Sequence, residues 1–173
     1  MNLARAPTST GFPAVARRDA RVLVLGSLPG QKSLLEQQYY AHPQNGFWPI
    51  MRELFGVDGT YSERCEQLVK CRIALWDVLA ASVRPGSMDA DIRLKTVIAN
   101  DFGRFFDQHP GIVLIGFNGK KAEQLFHRLV PASAIGATRT VGLPSTSPAF
   151  ASMSFDAKLN TWRTSLALLR RDE

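Results

Sequence analysis

The stretch Val22-Leu23-Val24-Leu25-Gly26-Ser27-Leu28-Pro29-Gly30 decides the fold. Four apolar residues in a row, two of them β-branched and the run stopped by glycine, are the pattern of a strand buried on both faces of a parallel sheet. The same signal returns at Ile73-Ala74-Leu75-Trp76, stopped by Asp77, and at Ile112-Val113-Leu114-Ile115, stopped by Gly116. Thr138-Arg139-Thr140-Val141-Gly142, running into Leu143-Pro144, is a weaker copy. Helical periods separate these runs: Phe47 to Leu54, Ser62 to Val69 with Ser62 as a plausible cap, Asp101 to Asp107, Lys120 to Val130, and Asp156 to Arg171. Strands alternating with helices predict an α/β fold, a three-layer α/β/α sandwich around a central four-stranded, mostly parallel sheet.

Around this pattern the 173 residues suffice for one domain. Residues 1–20, rich at first in Ala, Pro, Ser, Thr and Gly, are expected to form a mobile tail, and 21–173 a single domain, here taken as a monomer. With 21 Lys and Arg against 15 Asp and Glu the net charge is +6, which suits a polyanionic partner without proving one. Cys65 and Cys71 form no CxxC and have no histidine at ligand spacing, so neither a zinc nor an iron–sulfur site is expected, and no metal or cofactor. Idle thiols fit a reducing cytosol. The first residues hold no long apolar stretch of the signal-peptide kind, and no apolar run approaches 18 residues, so no membrane span is expected.

In open parallel sheets ligands bind beyond the carboxyl ends of the strands, which directs attention to the loops there. The first, Gly26-Ser27-Leu28-Pro29-Gly30-Gln31-Lys32-Ser33, lets backbone approach a sugar, base or phosphate. It lacks the Gly-Lys-Ser order of a phosphate-binding P-loop and the Gly-x-Ser-x-Gly order of a nucleophile elbow. A tight strand-to-loop turn explains it equally well. The second, Tyr39-Tyr40-Ala41-His42-Pro43-Gln44-Asn45-Gly46-Phe47-Trp48-Pro49, clusters four aromatics with an amide. Such a loop can form a slot with a stacking wall, or its aromatics can pack the core; Trp48 is assigned to the core, whereas Asn45 offers little to packing. The third, Leu143-Pro144-Ser145-Thr146-Ser147-Pro148-Ala149-Phe150-Ala151, combines hydroxyls suited to a phosphate grip with an apolar Phe150 that could wedge into a base stack or be buried.

Gly-Ser-Leu-Pro-Gly, Tyr-Tyr-x-x-Pro-x-Asn-x-Phe-Trp and Ser-Thr-Ser-Pro-Ala, in this order, resemble the hypoxanthine-DNA glycosylase branch of the uracil-DNA glycosylase superfamily, from about Arg21 to Leu169. The resemblance implies hydrolysis of the N-glycosidic bond of a flipped deaminated base in double-stranded DNA, leaving an abasic site, in the cytosol or nucleoid. Hypoxanthine is favoured over uracil. The alternatives are a uracil or mismatch-specific glycosylase, or a non-catalytic nucleic-acid-binding relative. A hydrolase built on Ser27 ranks last, because no His and Asp partners are recognisable.

The essential amide of the branch lands on Asn45, and Phe47 matches the base-stacking phenylalanine. Asp77 falls where sister families read the base edge with Asn, and Ser145 where they carry His or Asn beside the leaving base. Gly26, Ser27, Tyr40 and His42 are further candidates to line the base pocket; Gly30, Ser33, Ser147, Pro148 and Phe150 are candidates to hold DNA. Asn45 is expected to orient water or the reacting nucleotide. Asp77 is expected either to accept the base N–H as a carboxylate or to bind protonated; capping the turn after its strand is the competing explanation. Asn118 is expected to cap the following helix, with lining the pocket as the alternative. Lys120, Lys121 and Arg139 are either duplex contacts or solvated charges, as are Arg17, Arg18 and Arg21, while His109 and His127 are assigned no role.

Overall fold

The computed structural model describes residues 7–170. Its centre is a four-stranded parallel sheet in the order β3-β2-β6-β7, with β2 at Val22–Gly26, β3 at Ile73–Asp77, β6 at Leu114–Asn118 and β7 at Arg139–Leu143. The strands are in step, Gly26 facing Asp77 and Phe117 facing both Leu25 and Gly142. Alternation of side chains along the strands divides the core into two layers. Val22, Val24, Ile73 and Leu75 pack with Phe47, Ile50, Met51 and Leu54 of α2 (Phe47–Phe55), Leu68 of α3 (Tyr61–Lys70) and Trp162 of α6 (Phe155–Ser165). On the other face, Leu23, Leu25, Ala74 and Ile115 pack with Phe102 and Phe105 of α4 (Phe102–Gln108) and Leu125 and Phe126 of α5 (Lys120–Leu129). The three layers follow from strands that are apolar on both sides and must be covered on both.

Several details depart from the sequence reading. The third strand starts at Leu114, two residues later than expected, because the chain turns at Pro110-Gly111 and β6 then runs through Gly116 to Asn118. Gly116 is there because a Cβ would come within 2.8 Å of the Leu143 side chain. Helix α3 is capped by Thr60, not Ser62: the Thr60 hydroxyl accepts from Glu63 N–H, and the Glu63 carboxylate accepts from Thr60 N–H, a capping box. A short α1 (Gln31–Glu36) follows the first loop.

The expected tail is also corrected. Thr8–Thr10 form β1, paired antiparallel with β4 (Leu79–Val83), which in turn pairs with β5 (Ile98–Ala99) in a second, three-stranded sheet. Val15 exchanges backbone hydrogen bonds with Leu75, and the carbonyls of Phe12 and Pro13 accept from the Tyr39 hydroxyl. A Ser/Thr-rich stretch looks like a tail because its strand partner lies about seventy residues away, beyond any local pattern. Residues 1–6 of the expected tail lie outside the described residues. No described helix is long and apolar enough to cross a membrane.

Candidate base-binding cleft

All four parallel strands point their carboxyl ends at one cleft of about 500 Å³. Its floor is built by Gly26 at the end of β2, Asp77 at the end of β3 and Asn118 at the end of β6, with the loop after β7 as one wall. Gly26 cannot be replaced without loss: a Cβ there would lie 2.5 Å from Asp77 Oδ1 and 3.1 Å from the Tyr40 hydroxyl oxygen. The glycine therefore makes room for a carboxyl group and a phenol to converge.

Asp77 is the most unusual of these residues. It is 4% exposed, and its Oδ2 has no hydrogen-bond partner among the described residues. Burial pushes its pKa up to about 7, opposed by the nearby Arg84 guanidinium and assisted by the Asp89 carboxylate. Its backbone carbonyl accepts from Asn100 Nδ2, so the turn after β3 is secured by the main chain and by Asn100, leaving the Asp77 side chain to the cleft. Tyr40 stands beside it in the left-handed region, at φ 54°. Burial, with Asp77 close by, raises the Tyr40 hydroxyl far above its usual value, so it stays a neutral phenol.

Asn45 lines the cleft in a fixed orientation. Its Oδ1 accepts from Phe47 N–H at 2.9 Å, while its own N–H donates to the His42 carbonyl. This turn begins α2 and leaves Asn45 Nδ2 available to a ligand. Phe47 corrects the sequence reading. Its ring is 0% exposed and sits within the core, edge-on to Trp48 and Trp162. The ring on the cleft side is Tyr40, 4.4 Å from Phe47 between centroids and tilted by 31°. The first turn of an amphipathic helix points its aromatic inward, so Phe47 backs the wall instead of forming it. Trp48 is buried as expected and donates its indole N–H to the Tyr39 carbonyl.

Ser27 is nearly buried and donates its hydroxyl to Asp89 Oδ1 at 2.5 Å. Ser33 is buried too, its hydroxyl accepting from Ala41 N–H, so it ties the first loop to the second and presents little to a phosphate. Gly30 remains a lining residue. His42 lies exposed at the rim, its Nδ1 accepting from Gln44 N–H. In the third loop the Ser145 hydroxyl accepts from Ser147 N–H, and that of Ser147 from Ala149 N–H. Pro148 and Phe150 are exposed at the cleft mouth.

Asn118 does not cap α5. Its amide donates to Thr146 Oγ1 and accepts from Thr146 N–H, both at 2.9 Å, binding the β6 end to the third loop. The helix begins instead at Gly119, at φ 97°. Lys120 reaches the cleft, whereas Arg139 opens β7 and so lies at the opposite end of the sheet.

Three features of the site are not marked in the loop motifs. Arg84, 3% exposed, donates to the carbonyls of Leu28 and Pro29 and so fixes the first loop from beneath. The segment Ser87–Asp89 folds over that loop, the Ser87 hydroxyl accepting from Gln31 N–H. Val83-Arg84-Pro85-Gly86 carries turn residues and no periodic signal, which hides both. Lys158 of α6 donates to the carbonyls of Phe150 and Ser147. It was detectable as a lysine on the helix face that also carries Leu159 and Trp162.

An amide, a phenol and a buried carboxyl converge on this cleft at the carboxyl edge of a parallel sheet, the place where open α/β folds bind their ligands. Among the described residues no group of three or more His, Cys, Asp or Glu side chains is placed to hold a metal ion. The model of the uracil DNA glycosylase superfamily matches residues 12–167. Relatives named hypoxanthine DNA glycosylase, from Methanosarcina barkeri and Methanosarcina acetivorans, are 40% and 41% identical over 115 residues, which is 65% of this chain and 72% of each of theirs. The solution NMR structure of a candidate uracil DNA glycosylase from Methanosarcina acetivorans is similar with a TM-score of 0.79 at 35% identity, over 95% of this chain and 99% of that one. The chain belongs to the uracil DNA glycosylase superfamily and is a DNA glycosylase of base-excision repair.

Proposed function

We propose that this glycosylase removes hypoxanthine from double-stranded DNA, with the extruded base lying against Tyr40, its oxygen-bearing edge toward Asp77, and Asn45 beside the scissile bond. The observation that carries the reading is the buried Asp77 carboxyl with one unsatisfied oxygen at the cleft floor. The edge of hypoxanthine sets a carbonyl acceptor beside an N–H donor. A neutral carboxylic acid is its complement, its O–H donating to the carbonyl and its C=O accepting the N–H. Uracil offers the same edge and is the second base expected to bind.

Hydrolysis breaks the bond between sugar C1′ and the base nitrogen while water adds to C1′. Positive charge grows on the sugar and negative charge on the departing base, as in other glycoside cleavages. The neutral acid at Asp77 stabilises that negative charge through a hydrogen bond that strengthens as the bond breaks. Asn45 is too weak a base to ionise water. Held by Phe47 N–H, its amide sets the water or the sugar in place by geometry. Extrusion leaves a gap in the stack, which the exposed Phe150 ring fills. The substrate places the action where chromosomal DNA lies, in the cytosol or nucleoid.

The test offers labelled duplexes carrying inosine, uracil, xanthine or a thymine mismatch, with released base measured directly and strands analysed before and after alkali. Hypoxanthine release, with breaks only after alkali, is the expected result. No released base from any duplex would refute the reading, and uracil release alone would shift it to the sister activity.

A further inference from the structure

We propose that Lys158 is the positioning residue of the Phe150 wedge, a latch on α6 that holds the Ser147–Phe150 loop in the shape that enters DNA. The inference rests on the glycosylase reading above. Lys158 is 7% exposed, yet among the described residues no carboxylate pairs with it. Its ammonium donates to the carbonyl of Phe150 at 2.7 Å and of Ser147 at 3.4 Å, and lies 5.1 Å from the centre of the Phe150 ring. One side chain thus grips both ends of a four-residue segment and the face of its aromatic. Buried ammonium groups without an anionic partner are rare because desolvation is costly. Burial pushes the Lys158 ammonium below its ordinary value, which records that penalty.

The surroundings show that the grip is part of a larger brace. Trp162, one helical turn beyond Lys158 and on the same face of α6, donates its indole N–H to the Pro144 carbonyl at 3.0 Å. Ser154 caps the helix, accepting from Ala157 N–H, immediately before this turn. Helix α6 therefore holds the third loop at Pro144, Ser147 and Phe150, while Asn118 holds it at Thr146. Phe150 nevertheless stays exposed at the cleft mouth. A ring kept in the open by a buried cation beneath it is prepared to meet something apolar, and in a base-flipping enzyme that is the vacated stack. Lys158 does not line the cleft, so it acts through Phe150 and not on the reacting sugar.

The test compares single-turnover base release from duplex and single-stranded DNA carrying the same inosine. A single strand has no paired stack to hold open. Lys158→Met, which keeps length without charge, is expected to slow the duplex reaction about 10- to 100-fold while leaving the single-strand rate within about threefold, the size of loss that misplacement produces. Phe150→Ala should reproduce this selectivity, and the double variant should be no slower than the worse single one, as for residues acting in one unit. An unchanged duplex-to-single-strand ratio in Lys158→Met, or additive losses in the double variant, would overturn the proposal. If Lys158→Met does not fold, Lys158→Arg provides the arms: duplex-selective loss supports the latch and an equal loss on both substrates overturns it. A wild-type protein that releases base from neither substrate would instead refute the glycosylase reading, so the two failures are separable.

Discussion

At the residue scale the proposed chemistry turns on two groups, the Asn45 amide, which cannot ionise, and the Asp77 carboxyl, whose ionisation burial disfavours. Asp77 has a folded pKa of about 7 against an ordinary 3.8. A raised carboxyl pKa means that the fold disfavours the charged form. The stability contributed by this group is complete below its unfolded pKa and is lost as pH rises through the folded one. Relative to wild type, Asp77→Asn is therefore expected to gain urea resistance progressively between pH 4 and 7, a difference of the order of a few kcal/mol. Wild-type hypoxanthine excision should fall as pH rises through about 7, where the carboxylate repels the base carbonyl. The variant should lose that fall and change the ratio of hypoxanthine to uracil release. The same pH profile and the same ratio in both proteins would remove Asp77 from the base edge. Arg84, Asp89 and Tyr40 also face this group, so the profile is read as a difference between variant and wild type.

At the element scale the loop after β7 is held by the neighbouring strand end and by α6. Asn118 bridges to Thr146, which is 2% exposed. Asn118→Ala would strand the Thr146 N–H and hydroxyl in a buried setting. A loss of about 1–3 kcal/mol in urea unfolding is expected for buried groups left unpaired, together with slower base release. A variant with unchanged midpoint and rate would show that the bridge is dispensable.

Elements of this kind explain what was legible. Strands β2 and β3 and helices α2 and α5 have apolar periods that only one secondary structure satisfies, and they were readable almost to the residue, whereas α6, expected from Asp156 to Arg171, ends at Ser165 and gives way to a 3-10 turn at Ala167–Arg170, with residue 171 outside the described residues. Asn118 was misread because an amide just before a helix is an ordinary cap, and its true partner lies 28 residues downstream. Phe47 was misread for a related reason. A motif names the residue type, but the inward face of α2 and the left-handed Tyr40 decide which ring meets the cleft.

At the scale of the whole molecule the sheet and the cleft at its carboxyl edge were legible, because buried parallel strands announce themselves locally and topology then fixes where a ligand sits. The second sheet was not legible. β1, β4 and β5 are short, partly polar and paired over long separations, so no local period marks them. Arg84 and Asp89 were hidden with them, since the segment that carries both follows β4. The net charge of +6 contributes a sequence-independent attraction to DNA. Affinity for an undamaged duplex is expected to fall linearly on a log–log plot as salt rises, measured by fluorescence anisotropy, and an affinity indifferent to salt would place the recognition outside phosphate contact.

The most direct test of the account is single-turnover cleavage of an inosine duplex by Asn45→Ala beside wild type, with folding checked by urea midpoint. Asn45 contributes an oriented amide and little packing, so the rate should drop about 100-fold or more, while loss of its bond to Phe47 N–H lowers stability by only about 0.5–2 kcal/mol. A well-folded variant that cleaves at the wild-type rate would contradict the claim that this amide positions the reacting groups.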